Sequence, residues 1–344
     1  MKPSANRPTI INIADLAGVS KSTVARVLSD DENVKKSTRE KVLNVAKSIG
    51  YERNHLAKSL RSGRTGMLGL LIPDIANPFW AEVAAGAQDR ASDANASLLV
   101  FSSNWDPKRE KDHLKSLRQA RVDGAIVNPV EDSIDGLDRF GMPVVLIGSS
   151  AELFPQLSSV GSDIKQGVHI GLDLLTSLGH TQPAFIVGPS GKLARARFLA
   201  AVNEYYSIQN IDQGELLVEE AEYTIDSGRE AALKLLSRAG SKPLCIFTTN
   251  DLMAFGALLA VRESGLNCPD DVSILGFDGI FSGEISYPGL STVVKPARKI
   301  GRRAVDLLLG NINGNEGNER IVLPCELKIR GSLADVSSAR YQAI

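Results

Sequence analysis

The sequence predicts a small all-α headpiece followed by a larger α/β domain built as two lobes. Three observations carry this expectation. Residues up to about Gly50 form short amphipathic segments punctuated by capping residues and glycine, the pattern of small helices. From Met67 onward, short runs rich in Val, Ile and Leu alternate with longer segments of helical period, the rhythm of parallel sheets covered by helices. That alternation continues for about 260 residues, more than one sheet of this kind accommodates, so two lobes are expected.

Bulk properties narrow the class. Hydrophobic residues are 43% and charged residues 23% of the 344, an ordinary globular balance that excludes a disordered or membrane-embedded chain. No apolar stretch reaches membrane-spanning length, and Met1 to Thr9 lacks the apolar centre of a secretory leader, so the expectation is a cytosolic protein with no membrane partner. Cys245, Cys268 and Cys325 are widely spaced and read as buried thiols of a reducing compartment. His55, His113, His169 and His180 have no ligand-spaced partners, so neither a metal nor a cofactor is expected. Residues 1–66 hold 13 Lys/Arg against 6 Asp/Glu, whereas the rest holds 26 against 34. A basic front on an acidic body points to a polyanion at the front.

Within that front, Thr9 can cap a helix from about Ile11 to Ala17, with Ile10, Ile13, Ala14 and Ala17 on one face. Gly18 allows the backbone to turn at positive φ. Ser20 can cap a second helix, Lys21 to Leu28, with Val24, Val27 and Leu28 inward. Asp30 to Asn33 reads as a polar loop. Ser37 with Glu40 fits a capping box opening a third helix, whose buried face would be Val42, Leu43, Ala46 and Ile49, ended by Gly50. Three short helices with a tight turn between the first two are the helix-turn-helix arrangement. The early side chains of the second helix, Lys21, Ser22, Ala25 and Arg26, lie away from its core face and can enter a major groove. Arg26 has the planar fork that matches guanine O6 and N7, while Thr23, Ser37, Thr38 and Arg39 suit phosphates. Thr9 and Asn33 complete the headpiece set expected to face DNA. The bland alternative is a three-helix interaction module with a solvated polar face. Beyond it, Asn54 can cap a short helix, His55 to about Arg61, ended by Ser62-Gly63 and too short to persist alone in water.

These residues carry a resemblance. The run Thr9-Ile-Ile-Asn-Ile-Ala-Asp-Leu-Ala-Gly-Val-Ser-Lys-Ser-Thr-Val-Ala-Arg-Val-Leu28 closely resembles the headpiece of the lactose-repressor (LacI/GalR) family, as do Thr38-Arg-Glu-Lys-Val to Gly50-Tyr51 and Asn54-His-Leu-Ala-Lys-Ser-Leu60. The resemblance implies that the segment from Asn54 folds on DNA, with paired hinge helices in the minor groove. Leu60 matches the wedge between central base pairs, and Ala57 the small residue that lets the two helices approach. Asn54, His55 and Lys58 join them as expected DNA contacts. The alternative is a plain linker in which Leu56 and Leu60 cover the large domain. Two departures are visible: Ala25 stands where the family usually has Ser, and Arg53 where it usually has Pro.

In the large domain, strands are expected at Leu68–Ile72, Leu98–Ser102, Ala125–Val127, Val144–Ile147, Ala184–Val187, Leu244–Thr248 and Val272–Leu275. Helices are expected at Trp80–Ala94, Lys108–Ala120, Gln166–Leu178, Ala194–Tyr206, Ser227–Arg238 and Leu252–Ser264. Ligands of such folds sit at the carboxyl ends of strands. Gly69 to Trp80, Gly179-His180, Asn250 to Ala254, Pro269 to Asp278 and Pro288 through Pro296 resemble the family's effector domain, a relative of periplasmic sugar-binding proteins. The resemblance implies a periplasmic-binding-protein-like (type I) α/β domain. It divides the chain into a headpiece at 8–52, a hinge at 53–66, an effector and dimerisation domain at 67–331 and a tail at 332–344. Lobe one would take about 67–162 and 295–322, and lobe two about 163–294 and 323–331.

Seven residues are expected to hold the effector, and six of them, all but Asn128, stand at positions that match effector contacts in the family. Asp278 can take two hydroxyls of a sugar or ribose, and Asn250 offers donor and acceptor together. Arg197 can meet a carboxylate, phosphate or hydroxyl. Phe79, Trp80 and Tyr223 supply flat apolar walls, and Asn128 ends the third strand. Alternatives stand beside them: Asp278 capping a turn or pairing with a neighbouring Arg, Phe79 as plain core, Asn250-Asp251 capping the next helix. Gly148 sits where many members carry an acid, and Ala200 replaces the usual Gly after Arg197.

No catalytic constellation is present. Gly188 to Leu193 has glycines too closely spaced for a nucleotide phosphate loop, and Leu193 stands where Ser or Thr is required. The expectation is therefore a non-enzymatic regulator, a homodimer on palindromic double-stranded operator DNA, with a sugar, sugar acid or nucleoside-like effector. Ser332 to Ile344 has no leucine heptad of a tetramerising tail. The competing readings are a solute-binding protein without DNA function, and a regulator that senses a protein partner.

Overall fold

The computed structural model describes residues 8–29, 31–51, 64–130, 140–148, 153–211, 214–238, 244–315 and 317–337. The chain divides into two compact units, residues 1–65 and 66–344.

The first unit contains α1 (Ile10–Ala17), α2 (Lys21–Leu28) and α3 (Lys36–Ser48). Thr9 caps α1 in a capping box with Asn12, whose side-chain oxygen accepts from the Thr9 N–H at 2.9 Å. Gly18 then turns the chain at φ 62°, and Ser20 caps α2 by accepting from the Thr23 N–H at 3.1 Å. Ile13, Ala17, Val24, Val27 and Val42 close the core that these helices share. Two expectations fail here. The box of Ser37 and Glu40 does not form, because α3 begins at Lys36 and Ser37 already lies inside its first turn. Leu43 is 46% exposed, because Val42 and Ala46, with Val45 and Ile49 beside them, define a stripe from which it is rotated away. The hinge residues Asn54, His55, Ala57, Lys58 and Leu60 lie outside the described residues.

The second unit holds two six-stranded sheets. Its strands are β1 (Met67–Ile72), β2 (Ser97–Ser102), β3 (Gly124–Val127), β4 (Val144–Ile147), β5 (Ser158–Ser162), β6 (Ala184–Val187), β7 (Val218–Glu220), β8 (Leu244–Thr248), β9 (Val272–Asp278), β10 (Ser291–Val294), β11 (Arg320–Leu323) and β12 (Glu326–Lys328). Its helices are α4 (Pro78–Asp93), α5 (Pro107–Gln119), α6 (Ile164–Ser177), α7 (Leu193–Gln209), α8 (Ile225–Arg238), α9 (Asp251–Glu263), α10 (Ser282–Ile285) and α11 (Ala297–Ile312). One sheet runs β11-β5-β4-β3-β1-β2, all parallel. The other runs β12-β10-β9-β8-β6-β7, parallel except for β12 on β10. β3, β4, β6 and β9 are buried at every residue, as helices on both faces require.

The chain passes between the sheets after β5, after β10 and between β11 and β12, always at the edge where these strands lie. The crossing segments are tied together: Asp163 N–H donates to Leu323 O at 2.8 Å, and Cys325 N–H to Gln166 Oε1 at 2.8 Å. Cys325 and Cys245 are buried, whereas Cys268 is only half-buried, since Asn267 and Pro269 leave it in a turn.

Helices α4 and α11 cross with their backbones in contact. A Cβ at Gly86 would stand 2.1 Å from the Arg298 carbonyl oxygen, and one at Gly301 would stand 2.0 Å from that of Val83. Ion pairs flank the crossing, Arg90 with Asp306 at 2.6 Å and Arg302 with Asp93 at 2.9 Å. Replacing Gly301 by Val must push the helices apart and should cost about 1–3 kcal/mol or more. A thermal unfolding scan checks this; an unchanged midpoint would show that the contact is not tight.

Candidate ligand cleft and DNA-reading helix

On α2, Lys21, Ser22 and Arg26 are exposed, Thr23 and Ala25 are half-buried, and Val24 and Val27 face the core. The helix thus offers one polar, basic face while the other is fixed by packing. The hydroxyls of Ser22 and Thr23 gather on Ser20 Oγ at 2.7 and 2.8 Å. Thr9 and Asn33 are exposed and Thr38 is half-buried. Asn33 also donates its side-chain amide to Asp31 at 2.9 Å, and its backbone N–H bond to that carboxylate holds the Asp31 acid below its ordinary range.

In the larger unit, Phe79, Trp80, Asn128, Arg197, Tyr223, Asn250 and Asp278 all line one cleft. They reach it from the carboxyl ends of strands in both sheets, because each follows a strand directly or starts the next helix. Phe79 is buried and meets Trp80 edge to face, ring centroids 5.0 Å apart, so it is core and wall together. Asn250 caps α9, its Oδ1 accepting from Met253 N–H at 2.8 Å, which leaves its amide nitrogen for a ligand. Asn128 donates its amide to Ile147 O at 2.7 Å, leaving its oxygen. That amide also occupies the space beside Gly148, where a Cβ would lie 2.2 Å from Asn128 Nδ2. An acid at position 148 is thus replaced by the neighbouring amide.

Asp278 is the buried charge of the cleft, held at φ 142° at the end of β9. Lys295 Nζ stands 2.5 Å from its Oδ1 and 3.9 Å above the Phe79 ring. The pair is ionic by distance, but its angle leaves Oδ1 without a directed hydrogen bond. Burial pushes the Asp278 acid up, and Lys295 opposes that shift. Behind it, Asp251 does not cap α9. Its Oδ2 accepts from Gly279 and Ile280 N–H at 2.8 Å each, and its Oδ1 accepts from the Thr292 hydroxyl at 2.6 Å. This carboxylate fixes the turn after β9, and with it the backbone that presents Asp278.

Three cleft residues escaped the sequence reading. Lys295 follows β10 and reads as a solvated lysine. Trp105 lies in the loop after β2 at φ 60°, next to Asn104 at φ 53°, and stacks on Tyr223 with centroids 4.7 Å apart. Two successive left-handed residues store strain of the kind that clusters at binding sites. Lys192 donates to Val130 O at 2.9 Å. Since Trp105 and Val130 follow strands of one sheet and Tyr223 and Lys192 follow strands of the other, both contacts close the cleft between the lobes.

A helix-turn-helix unit with a basic reading face, joined to a two-lobed domain enclosing a polar cleft, defines a ligand-responsive DNA-binding regulator. Known proteins agree. Residues 9–54 match the model of bacterial regulatory proteins of the lacI family, and residues 172–333 match the periplasmic binding protein-like domain. The HTH-type transcriptional regulator DegA of Bacillus subtilis (strain 168) is 33% identical over 96% of this chain and all of its own length. A lac repressor dimer bound to operator and the anti-inducer ONPF superposes with a TM-score of 0.84 at 26% identity, covering 96% of this chain and all of its own. A complex of the transcriptional regulator CelR with cellobiose superposes at 0.71 and 29% identity, covering 95% of this chain and 100% of its own. The chain belongs to the lacI family of bacterial regulatory proteins.

The pH dependence of folding tests the site. Burial, then the nearby Asp278, push the Asp251 acid up to about 7 from an ordinary 3.8. Between those values the folded chain holds a proton that the unfolded chain releases. This group's contribution therefore falls as pH rises from about 4 to 7, by on the order of 1 kcal/mol per pH unit, and is flat above. Thermal scans of the parent and Asp251→Asn should diverge over that window, the parent losing stability faster with rising pH. Parallel profiles would place the Asp251 pKa elsewhere.

Proposed function

We propose that this regulator is a repressor that binds a near-palindromic operator as a homodimer, one α2 helix per half-site, and that a small hydroxylated metabolite in the cleft sets its operator affinity. The observation that carries the reading is the convergence of seven side chains from both lobes on one cleft closed by Lys192–Val130 and Trp105–Tyr223. A ligand contacting both walls changes the free energy of closure, and closure is the two-state element that a distant DNA site can share. The coupling is reciprocal, so operator DNA alters ligand affinity by the same factor. The solved relatives support each half: one is a dimer on operator with an anti-inducer, the other holds cellobiose.

Lys21, Ser22 and Arg26 read bases in this proposal, with Ala25 against the groove and Thr9, Thr23, Asn33 and Thr38 positioning the headpiece on phosphates. Residues 53–66 relay lobe movement to DNA, with Asn54, His55, Ala57, Lys58 and Leu60 in the minor groove. For these five the support is the sequence resemblance. The chain acts by binding alone in the cytosol, without catalysis, metal or cofactor. Among the described residues, no helix is long and apolar enough to cross a membrane. The exposed basic face of α2 favours this reading over a solute-binding protein.

Selection of duplexes from a random library should return an inverted repeat. Arg26→Ala should then weaken binding by about 1–3 kcal/mol and relax one base position. An equal loss on every duplex would reassign Arg26 to a phosphate. Leu60→Ser should weaken operator binding and leave ligand affinity intact; undiminished operator binding removes Leu60 from the minor groove.

A further inference from the structure

Lys295 lies in the segment that carries the chain from β10, in one sheet, to α11, which packs on the other. Its backbone N–H donates to Asp278 O at 3.0 Å, so the residue is rooted in the second lobe at the end of β9. Its side chain, only 17% exposed, brings the ammonium within 2.5 Å of Asp278 Oδ1 and 3.9 Å from the centre of the Phe79 ring. Asp278 ends β9 of the second lobe, whereas Phe79 opens α4 and packs in the core of the first. One cation is therefore shared between a buried anion of one lobe and a buried ring of the other.

The turn beyond Asp278 makes a second tie between the lobes. Ile280 is 5% exposed and sits in the apolar cluster that holds Phe79, Trp80, Val83 and Ile300. The N–H groups of Gly279 and Ile280 are both bound by the Asp251 carboxylate, which leaves the turn little slack. Within three residues the chain presents Asp278 to the cleft and buries Ile280 in the core of the first lobe. The contact of Lys295 with Asp278 is close but not a directed hydrogen bond, so charge holds it. Its strength follows the charge left on the carboxylate. Hydroxyls that donate to Asp278 draw on that charge and loosen its hold on the ammonium, while the attraction of the Phe79 ring stays. Out of water such a redistribution is felt more strongly than in it.

This inference rests on the regulator reading above. We propose that Lys295 is the coupling residue of the sensor, the tether through which occupancy of Asp278 alters the relation between the lobes and, through it, operator affinity. It is a positioning residue: it acts through Asp278 and Phe79 and makes no contact with DNA. Because ammonium and carboxylate form one tether, losing either partner, or both, moves the same equilibrium by the same amount.

The test uses the full-length protein and the duplex recovered by selection, and needs no ligand. Operator affinity is measured by fluorescence anisotropy for the parent, Lys295→Met, Lys295→Arg, Asp278→Asn and the double variant Asp278→Asn/Lys295→Met. Concentrations are set by stoichiometric titration, and thermal scans run alongside. Lys295→Met and Asp278→Asn should each shift the dissociation constant about tenfold or more in one direction, a size usual for allosteric coupling. The double variant should shift it no further than either single. Lys295→Arg keeps a cation that sits well on an aromatic ring, and should return the parent value. A purely structural lysine would lower the unfolding midpoint and leave the affinity of the folded fraction unchanged. Shifts that multiply in the double variant, or run in opposite directions, overturn the proposal, as does a folded Lys295→Met that binds operator like the parent. Should Lys295→Met alone not fold, the double variant, which leaves no unpaired buried charge, decides: parent-like affinity overturns the proposal. If selection returns no operator at all, the regulator reading falls and this inference with it.

Discussion

The buried carboxylate of Asp251 is the constraint on which the effector domain depends. It satisfies two backbone N–H groups in the turn after β9 and one hydroxyl on β10, joining the start of α9 to two neighbouring strands of one sheet. Without it, the buried N–H of Ile280 would be left unbonded at a cost of about 1–3 kcal/mol, and the half-buried N–H of Gly279 would lose its partner as well. With it, the turn is rigid, Asp278 is held at a strained φ, and Lys295 is brought opposite from the segment where the chain crosses lobes. A ligand that engages Asp278 therefore acts on a residue wired to an interlobe crossing. This is a physical route by which occupancy of the cleft becomes movement of the lobes.

Preorganisation and mobility divide the cleft between them. Phe79, Asn128, Asn250 and Asp278 are buried and fixed by caps, ring contacts or an ion pair, so their geometry does not wait for ligand. Trp105, Tyr223 and Lys192 hold the opposing walls together through one ring stack and one hydrogen bond. Such contacts are worth about 1 kcal/mol each, small enough to break and reform as ligand comes and goes.

Most of this was legible in the sequence for reasons that can be named. Thr9, Gly18 and Ser20 announced the headpiece because capping and positive φ are local demands that few residues meet. Runs such as Val144–Ile147 and Ala184–Val187 announced strands because burial on both faces demands unbroken apolar residues. The misses are equally physical. β5 reads Ser-Ser-Val-Gly-Ser and β7 Val-Glu-Glu, with no apolar run to find. α11 carries a helical stripe through Ile300, Ala304 and Leu308, a local signal like those of the other helices. Ser37 and Leu43 show that one residue of helix phase decides cap or core. Lys192, Lys295 and Trp105 matter only through partners distant in sequence, and nothing local to a lysine marks which carboxylate or carbonyl it will meet.

The crossing of α4 and α11 at Gly86 and Gly301 carries a consequence for the birth of the chain. The first lobe begins near Met67 but borrows α11 and β11 from the far end, and β12 completes the second lobe only at Lys328. The headpiece core, by contrast, is formed among the described residues by side chains from residues 10–51. During synthesis a helix-turn-helix unit therefore leaves the ribosome able to fold while its sensor still lacks α11, β11 and β12. A chain cut short between the headpiece and α11 would retain the reading helix and lack part of the ligand cleft. Quality control of such fragments then concerns the DNA they can still touch, beyond the protein that is lost.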